Sequence, residues 1–155
     1  MVDMLVRLYD LPRQTHDLPG SPVARRALAA EKHRVSKWVA DTFHRGWADE
    51  CEVAFCRQPV ACFVAIAGQQ PVGFCVYDSS ARGMAGPIGV SPGYRHRGVG
   101  RRLLLSVLAD MRAKGYAYGV VGWVDSPEFF HRVCGATLIE GSGQGLYRGM
   151  LPHMQ

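Results

Sequence analysis

The stretch Ser91 to Met111, SPGYRHRGVGRRLLLSVLADM, sets three glycines and four arginines directly ahead of an apolar run. Val99, Leu103, Leu104, Val107, Leu108 and Met111 recur at helical spacing, so the greasy part reads as an amphipathic helix closed by Gly115. The first N–H groups of any helix lack internal partners and carry partial positive charge. Glycines with no Cβ let an anion come close to those donors, and guanidiniums beside them add charge. Arg95-His96-Arg97-Gly98-Val99-Gly100-Arg101 is therefore a candidate seat for a diphosphate. Arg97 and Arg101 are its best contacts, with His96 behind them.

Three other glycine motifs fail on their chemistry. A Walker loop needs Gly-Lys followed by Ser or Thr, whereas Gly100 precedes Arg101-Arg102. A dinucleotide fingerprint wants a third small residue where this chain has Leu103. Gly89-Val90-Ser91-Pro92-Gly93 has the spacing of a nucleophile elbow. There the residue after the serine must donate its N–H, and Pro92 has none.

The elements that must position this turn can be read outward from it. MLVRLY alternates as a first strand, and residues 1–21 as a whole read as that strand and a turn-rich connection. PVARRAL reads as a second strand. Val35, Trp38, Val39 and Phe43 mark a helix that Gly46 should stop, and WADECEVAF a short second helix. PVACFVAIA and PVGFCVYD form a hairpin around GQQ, and GMAGPIGV is the strand that leads into the turn. After the long helix, YAYGVVGWV is a strand. SPEFFHRVCG is a helix with Ser126 as cap and Gly135 as stop, and ATLIEGSGQGLYRGM reads as a final hairpin. The fold class is α/β (α+β), one domain over 1–155 with a mixed, mostly antiparallel sheet.

Composition narrows the function classes. The chain has 155 residues, 48% hydrophobic and 20% charged, with no run of membrane-spanning length and no signal-peptide pattern at its start. Both points fit a cytoplasmic protein. The odd set Cys51, Cys56, Cys62, Cys75 and Cys134 contains no CxxC and reads as reduced, packed thiols. Net charge is +5, yet the arginines cluster rather than forming a stripe with aromatics. That pattern suits a compact anion better than nucleic acid. His131 and Cys134, three apart, do not make a metal site, so no metal is expected.

With an Arg, two residues, a Gly, one residue and a further Gly between a strand and a helix, GPIGVSPGYRHRGVGRRLL resembles the GNAT superfamily of N-acetyltransferases. The element order from about Ala30 onward looks like that fold too. The resemblance implies acetyl-CoA as cosubstrate and an amine acceptor, either a small molecule or a peptide, with a homodimer as a common state. It implies that Arg95 to Arg101 wrap the pyrophosphate and that Ile88, Gly89 and Val90 offer backbone groups to the pantetheine arm. It further implies that the fold's fourth and fifth strands, here GMAGPIGV and YAYGVVGWV, splay around that arm. Pro87, which cannot donate to a neighbouring strand, belongs at such a parting or marks a bulge.

Acetyl transfer needs a neutral amine, a held thioester, an oxyanion donor and a proton for the departing thiolate. Many relatives use a tyrosine in the helix after the fifth strand for the last role. Here that position is Phe130, which would still line the coenzyme site but has no proton to give. His131 is the adjacent titratable group and a candidate acid, although its direction on a helix is about 100° away. Tyr77 and Tyr147 are further hydroxyls. Asp125, at the end of the fifth strand, is the candidate base or else a helix cap with Ser126. Asp78, Glu50 and Glu52 are other acids, and Trp38, Trp47 and Trp123 are possible pocket walls or core. The sequence thus reads first as an N-acetyltransferase. A catalytically silent acyl-CoA-binding protein and a basic RNA-binding module are the alternatives.

Overall fold

The computed structural model describes residues 1–12 and 22–152, so the turn-rich connection read before Val23 lies largely outside the described residues. Seven strands form one sheet: β1 (Val2–Arg7), β2 (Val23–Arg26), β3 (Cys62–Ala67), β4 (Gln70–Tyr77), β5 (Met84–Val90), β6 (Tyr118–Val124) and β7 (Thr137–Leu138). Their order is β2-β3-β4-β5-β6-β1-β7. Every pairing is antiparallel except β5 with β6, so the mostly antiparallel sheet expected from the sequence is what forms. Four helices flank it: α1 (Lys32–Thr42), α2 (Arg45–Phe55), α3 (Val99–Ala113) and α4 (Pro127–Cys134).

Successive residues of a strand face opposite sides, and Gly73 and Phe74 of β4 show which helices lie where. A Cβ on Gly73 would come within 2.8 Å of Leu103, so α3 packs directly on that backbone. Phe74 points the other way into Trp38, Phe43 and Trp47 of the α1–α2 pair, with ring centroids 5.6–6.0 Å apart. A Cβ on Gly89 of β5 would meet Phe43 at 2.6 Å, so this glycine makes room for the same aromatic wedge. The predicted face of α3 is buried as expected: Val99, Leu103, Leu104, Val107, Leu108 and Met111 all belong to the core. Cys51, Cys62, Cys75 and Cys134 are buried free thiols, while Cys56 is exposed.

Two sequence expectations need correction. Gly46 does not stop the first helix. That helix ends at Thr42, with Phe43 wedged into the core, and His44 opens the second helix, which contains Gly46. The last segment is not a hairpin. Only Thr137–Leu138 pairs, with β1, and left-handed glycines at Gly141 and Gly145 turn the rest into a coil ending in a short 3-10 turn at Gly145–Tyr147. The left-handed glycines override the hairpin expected there.

On the α3 side, Asp110 ties three elements together. Its carboxylate accepts two hydrogen bonds from Arg26 of β2 (2.9 and 2.5 Å) and one from the Tyr77 hydroxyl of β4 (2.5 Å). Burial opposes the charge, but these donors outweigh it and hold the Asp110 carboxyl below its ordinary pKa, while burial and Asp110 push the Tyr77 phenol up. The Tyr77 hydroxyl is thereby committed to Asp110 in a contact between β4 and α3. Because the folded pKa of Asp110 lies below the unfolded value, its contribution is present at neutral pH and is lost as pH falls below about 4. Asp110→Asn is expected to cost about 1–3 kcal/mol at neutral pH, with the gap to wild type narrowing in acid, as read by denaturant melts at several pH values.

Candidate active site

The strands β5 and β6 pair only at Met84↔Val120 and Ala85↔Val121. Beyond that point β5 continues beside β4, with Phe74↔Gly89 and Gly73↔Val90, while β6 continues beside β1. The two part like a wedge. Pro87 sits where they separate, and the register shift between Cys75 and Tyr77 puts Gly86 and Pro87 opposite Val76 alone. The proline therefore satisfies both of its sequence readings: it lies in a bulge and at the parting. A residue without an N–H fits an edge that no strand can satisfy.

A cleft of about 540 Å³ fills the wedge. From β5 it takes Met84 to Ile88, and from β6 Val121 to Val124, with Asp125 just beyond the strand. Trp47 and Glu50 of α2, Phe130 of α4 and Tyr147 of the last segment close it.

At the far end of β5 the chain turns through Pro92–Tyr94 into α3. Gly98 occupies the helix cap in the left-handed region (φ 79°, ψ 5°) and makes no side-chain cap bond. At this end of the helix the Arg102 N–H donates to the Gly98 carbonyl at 3.1 Å. The N–H groups before it face out of the helix end. His96 is also left-handed (φ 61°), which bends the approach. Gly98 and Gly100 serve different needs. A Cβ at Gly98 would touch nothing, so its conformation demands glycine, whereas a Cβ at Gly100 would make ordinary contact with Phe129 at 3.4 Å.

Arg95, His96, Arg97 and Arg101 are all exposed around this turn. The Arg95 Nε donates to the Val90 carbonyl at 3.1 Å, and the Arg97 guanidinium lies over the Tyr94 ring. Arg102 is spent elsewhere, donating to the Pro22 carbonyl at 3.0 Å.

The proton-handling candidates separate clearly. Phe130 is buried and lines the cleft. His131, one residue on, is exposed on the other side of α4, with its Nδ1 3.1 Å from the Ala136 carbonyl, and it does not line the cleft. Asp125 does line it. Neither Asp125 nor Ser126 caps α4 through a side chain, which corrects the capping expectation, and the Asp125 carboxylate has no protein partner among the described residues. Asp78 and Glu52 are structural. The first accepts from the Gly83 N–H and the Tyr116 hydroxyl, and the second from Ser36. Trp38 belongs to the core, whereas Trp47 and Trp123 face the cleft.

Sequence reasoning did not assemble the wall opposite β5. The β1–β6 register shifts so that Gly122 and Trp123 oppose Asp3 alone. Asp3 pins this bulge by accepting the Trp123 N–H at 2.9 Å, and Trp123 takes a left-handed φ of 56°, rare for a bulky residue. Its indole stacks on Tyr147 with centroids 5.1 Å apart. The Tyr147 hydroxyl lies 3.2 Å from Glu50 Oε1 and 2.9 Å from Ser80 Oγ, and Ser80 also donates to Glu50 Oε1. Burial, reinforced by the Glu50 charge, pushes the Tyr147 phenol up. Glu50, Trp123 and Tyr147 were each visible as single candidates, but Ser80 carried no signal. Among the described residues no group of three or more His, Cys, Asp or Glu side chains is placed to hold a metal. Among the described residues no helix is long and apolar enough to cross a membrane.

The family described as Acetyltransferase (GNAT) matches residues 32–136 by its sequence model. No curated protein matches the chain. Among solved structures it is similar to a GCN5-related N-acetyltransferase from Sphaerobacter thermophilus, at 19% identity and TM-score 0.66 over 89% of this chain and 48% of that one. It is also similar to the GCN5-related glucosamine N-acetyltransferase region of a fungal multi-domain GH3 beta-N-acetylglucosaminidase, at 13% identity and TM-score 0.68 over 89% and 19%. A GNAT family acetyltransferase from Brucella melitensis, solved in complex with acetyl-CoA, shares 17% identity at TM-score 0.55 over 86% and 90%. The chain thus spans about half of the Sphaerobacter protein's length and about a fifth of the fungal one's. At these identities the structures establish the fold, and the family match covers well over half of the sequence. The chain belongs to the GNAT acetyltransferase family.

Proposed function

We propose that the protein is an N-acetyltransferase that moves acetyl from acetyl-CoA directly to a primary amine. One observation carries the reading: a single strand, β5, ends in an uncapped, arginine-ringed helix start and borders the cleft where it leaves β6. A long ligand with a diphosphate at one end and an amide-bearing arm at the other suits both features. The turn presents helix N–H groups with Arg95, Arg97 and Arg101 around them, and the open edge of β5 from Ile88 to Val90 offers backbone groups of the kind an added strand would use. Phe130 packs where the arm would pass.

Acetyl-CoA supplies a thioester whose carbonyl carbon a neutral amine attacks, with loss of the thiolate. The chain must then accept one proton from the amine. Asp125, unpaired at the cleft mouth, is the carboxylate free to do so through water. A backbone N–H near Val90 serves as oxyanion donor. The silent-binder alternative keeps one specific support, because Phe130 puts a ring without a hydroxyl in the cleft. The exposed arginines of the turn, Arg95, Arg97 and Arg101, crowd one helix start, a distribution that suits a compact anion better than nucleic acid.

Calorimetric titration with acetyl-CoA is expected to give micromolar affinity that Arg97→Glu combined with Gly98→Asp abolishes. Gly98→Ala should weaken binding while Gly100→Ala should leave it nearly unchanged, because only the first position requires a left-handed backbone. No binding to folded wild-type protein would refute the reading. In a CoA-release assay with an amine mixture, Asp125→Asn should lower kcat by at least about tenfold with acetyl-CoA affinity retained. Binding without turnover of any amine would favour the silent binder.

A further inference from the structure

We infer that the acceptor is a small amine that carries a second, cationic nitrogen, in its simplest form an alkyl diamine. The wall of Glu50, Trp47, Trp123 and Tyr147 holds the far end. This deepens the acyltransferase reading and rests on it for the identity of the reacting end.

Charge is the first ground. The protein is net positive by five, yet among the described residues no lysine or arginine side chain lines the cleft. Its ionisable lining is Asp49, Glu50, Asp125 and Tyr147, with the His44 imidazole and the Met1 α-amino group. Asp49 is shared with Arg45 at 3.4 Å in an exposed pair, which leaves Glu50 and Asp125 as the carboxylates of the cleft outside any ion pair among the described residues.

Positioning is the second. Ser80 and Tyr147 both bond Glu50 through Oε1, which fixes the carboxylate and leaves Oε2 without a protein partner among the described residues. A held carboxylate with one oxygen open makes a charge-assisted hydrogen bond to an ammonium at little further entropic cost.

The aromatic surface is the third. Trp123 is 41% exposed although its backbone is strained, and it presents a stacked pair with Tyr147 to the cleft. Trp47 is the third ring. A left-handed backbone at such a residue costs energy and persists only where neighbours over-determine it, here the Asp3 bond and the stack. Aromatic faces beside a carboxylate attract an ammonium and the methylenes next to it.

Chemistry then separates the two nitrogens. The nitrogen that is acylated must lose its proton and cannot draw on Glu50 as a cation. A second nitrogen keeps its proton and can. Met84, Ala85, Val121 and Val124 are apolar lining residues outside those given to the coenzyme arm, which suits a short alkyl spacer.

The test compares diaminopentane, pentylamine and aminopentanoate as acceptors, with acetyl-CoA affinity measured on the same samples. Diaminopentane is expected to exceed pentylamine by about tenfold or more in kcat/KM, with aminopentanoate slowest. Glu50→Gln, which keeps an acceptor for Ser80 and Tyr147 but removes the charge, should shrink the diamine preference to less than about threefold while acetyl-CoA still binds. Equal rates for all three amines, or a preference that survives Glu50→Gln, would overturn the proposal and leave the acyltransferase reading standing. Diaminopentane is also titrated calorimetrically against wild type and Glu50→Gln without coenzyme. Binding lost in the variant supports the cation-binding wall even where acetyl-CoA does not bind, an outcome that removes the acyltransferase reading alone. No binding to wild type in that titration, together with no diamine preference in turnover, overturns the proposal.

Discussion

The structure turns on a strand that loses its neighbour halfway along. Buried backbone N–H and C=O groups must be paired, and a sheet normally pairs them on both edges of an internal strand. Strand β5 has β4 on one side throughout but β6 only as far as Ala85. Everything distinctive about the site follows from that lapse. A proline and a glycine with φ of 108° occupy the point of separation, the bulge against β4 absorbs an extra residue there, and the freed edge opens on a cleft instead of on solvent. The same strand ends two turns of chain before α3, whose N–H groups are also unpaired. Two sets of unsatisfied donors and acceptors are thereby placed in line along one element.

Such an opening in the middle of a sheet survives only if the rest is clamped. On one side Phe43, Trp38, Trp47 and Phe74 form a contiguous aromatic wedge beneath β5, admitted by the absent side chain of Gly89. On the other, Gly73 brings α3 to within contact of β4, and Asp110 bonds α3 to β2 and β4 at once. The clamp and the opening share residues: Trp47 belongs to the wedge and also walls the cleft. Loss of packing under β5 would therefore reach the site without touching a ligand contact.

How much of this the sequence disclosed depends on range. The glycine-arginine turn, the face of α3 and the β3–β4 hairpin are local patterns, set by cap, period and turn chemistry within twenty residues, and they were legible. The choice between Phe130 and His131 was half legible: adjacent helical positions point about 100° apart, so both cannot face the cleft, but periodicity alone does not say which does. The wall was not legible as a unit. It needs Asp3 to pin a bulge 120 residues away, and it needs the last segment to abandon its apparent strand pattern at Gly141 and Gly145 so that Tyr147 arrives over Trp123. Each step is non-local, and Ser80 enters only through its partners.

The cleft and the turn also differ in sign, which composition had hidden behind a single net charge. The helix start carries three exposed guanidiniums, while the wall across the parting carries carboxylates and ring faces. Under the proposed function these opposite potentials would orient a pair of oppositely charged ligands before any specific contact forms. Where β5 and β6 part, the chain supplies backbone and apolar side chains: Gly86, Pro87, Ile88, Val121 and Phe130. In an acyl transfer of the proposed kind, holding two molecules in register is worth about 7–11 kcal/mol by itself. On that reading a phenylalanine at position 130, which has no proton to give, is compatible with transfer.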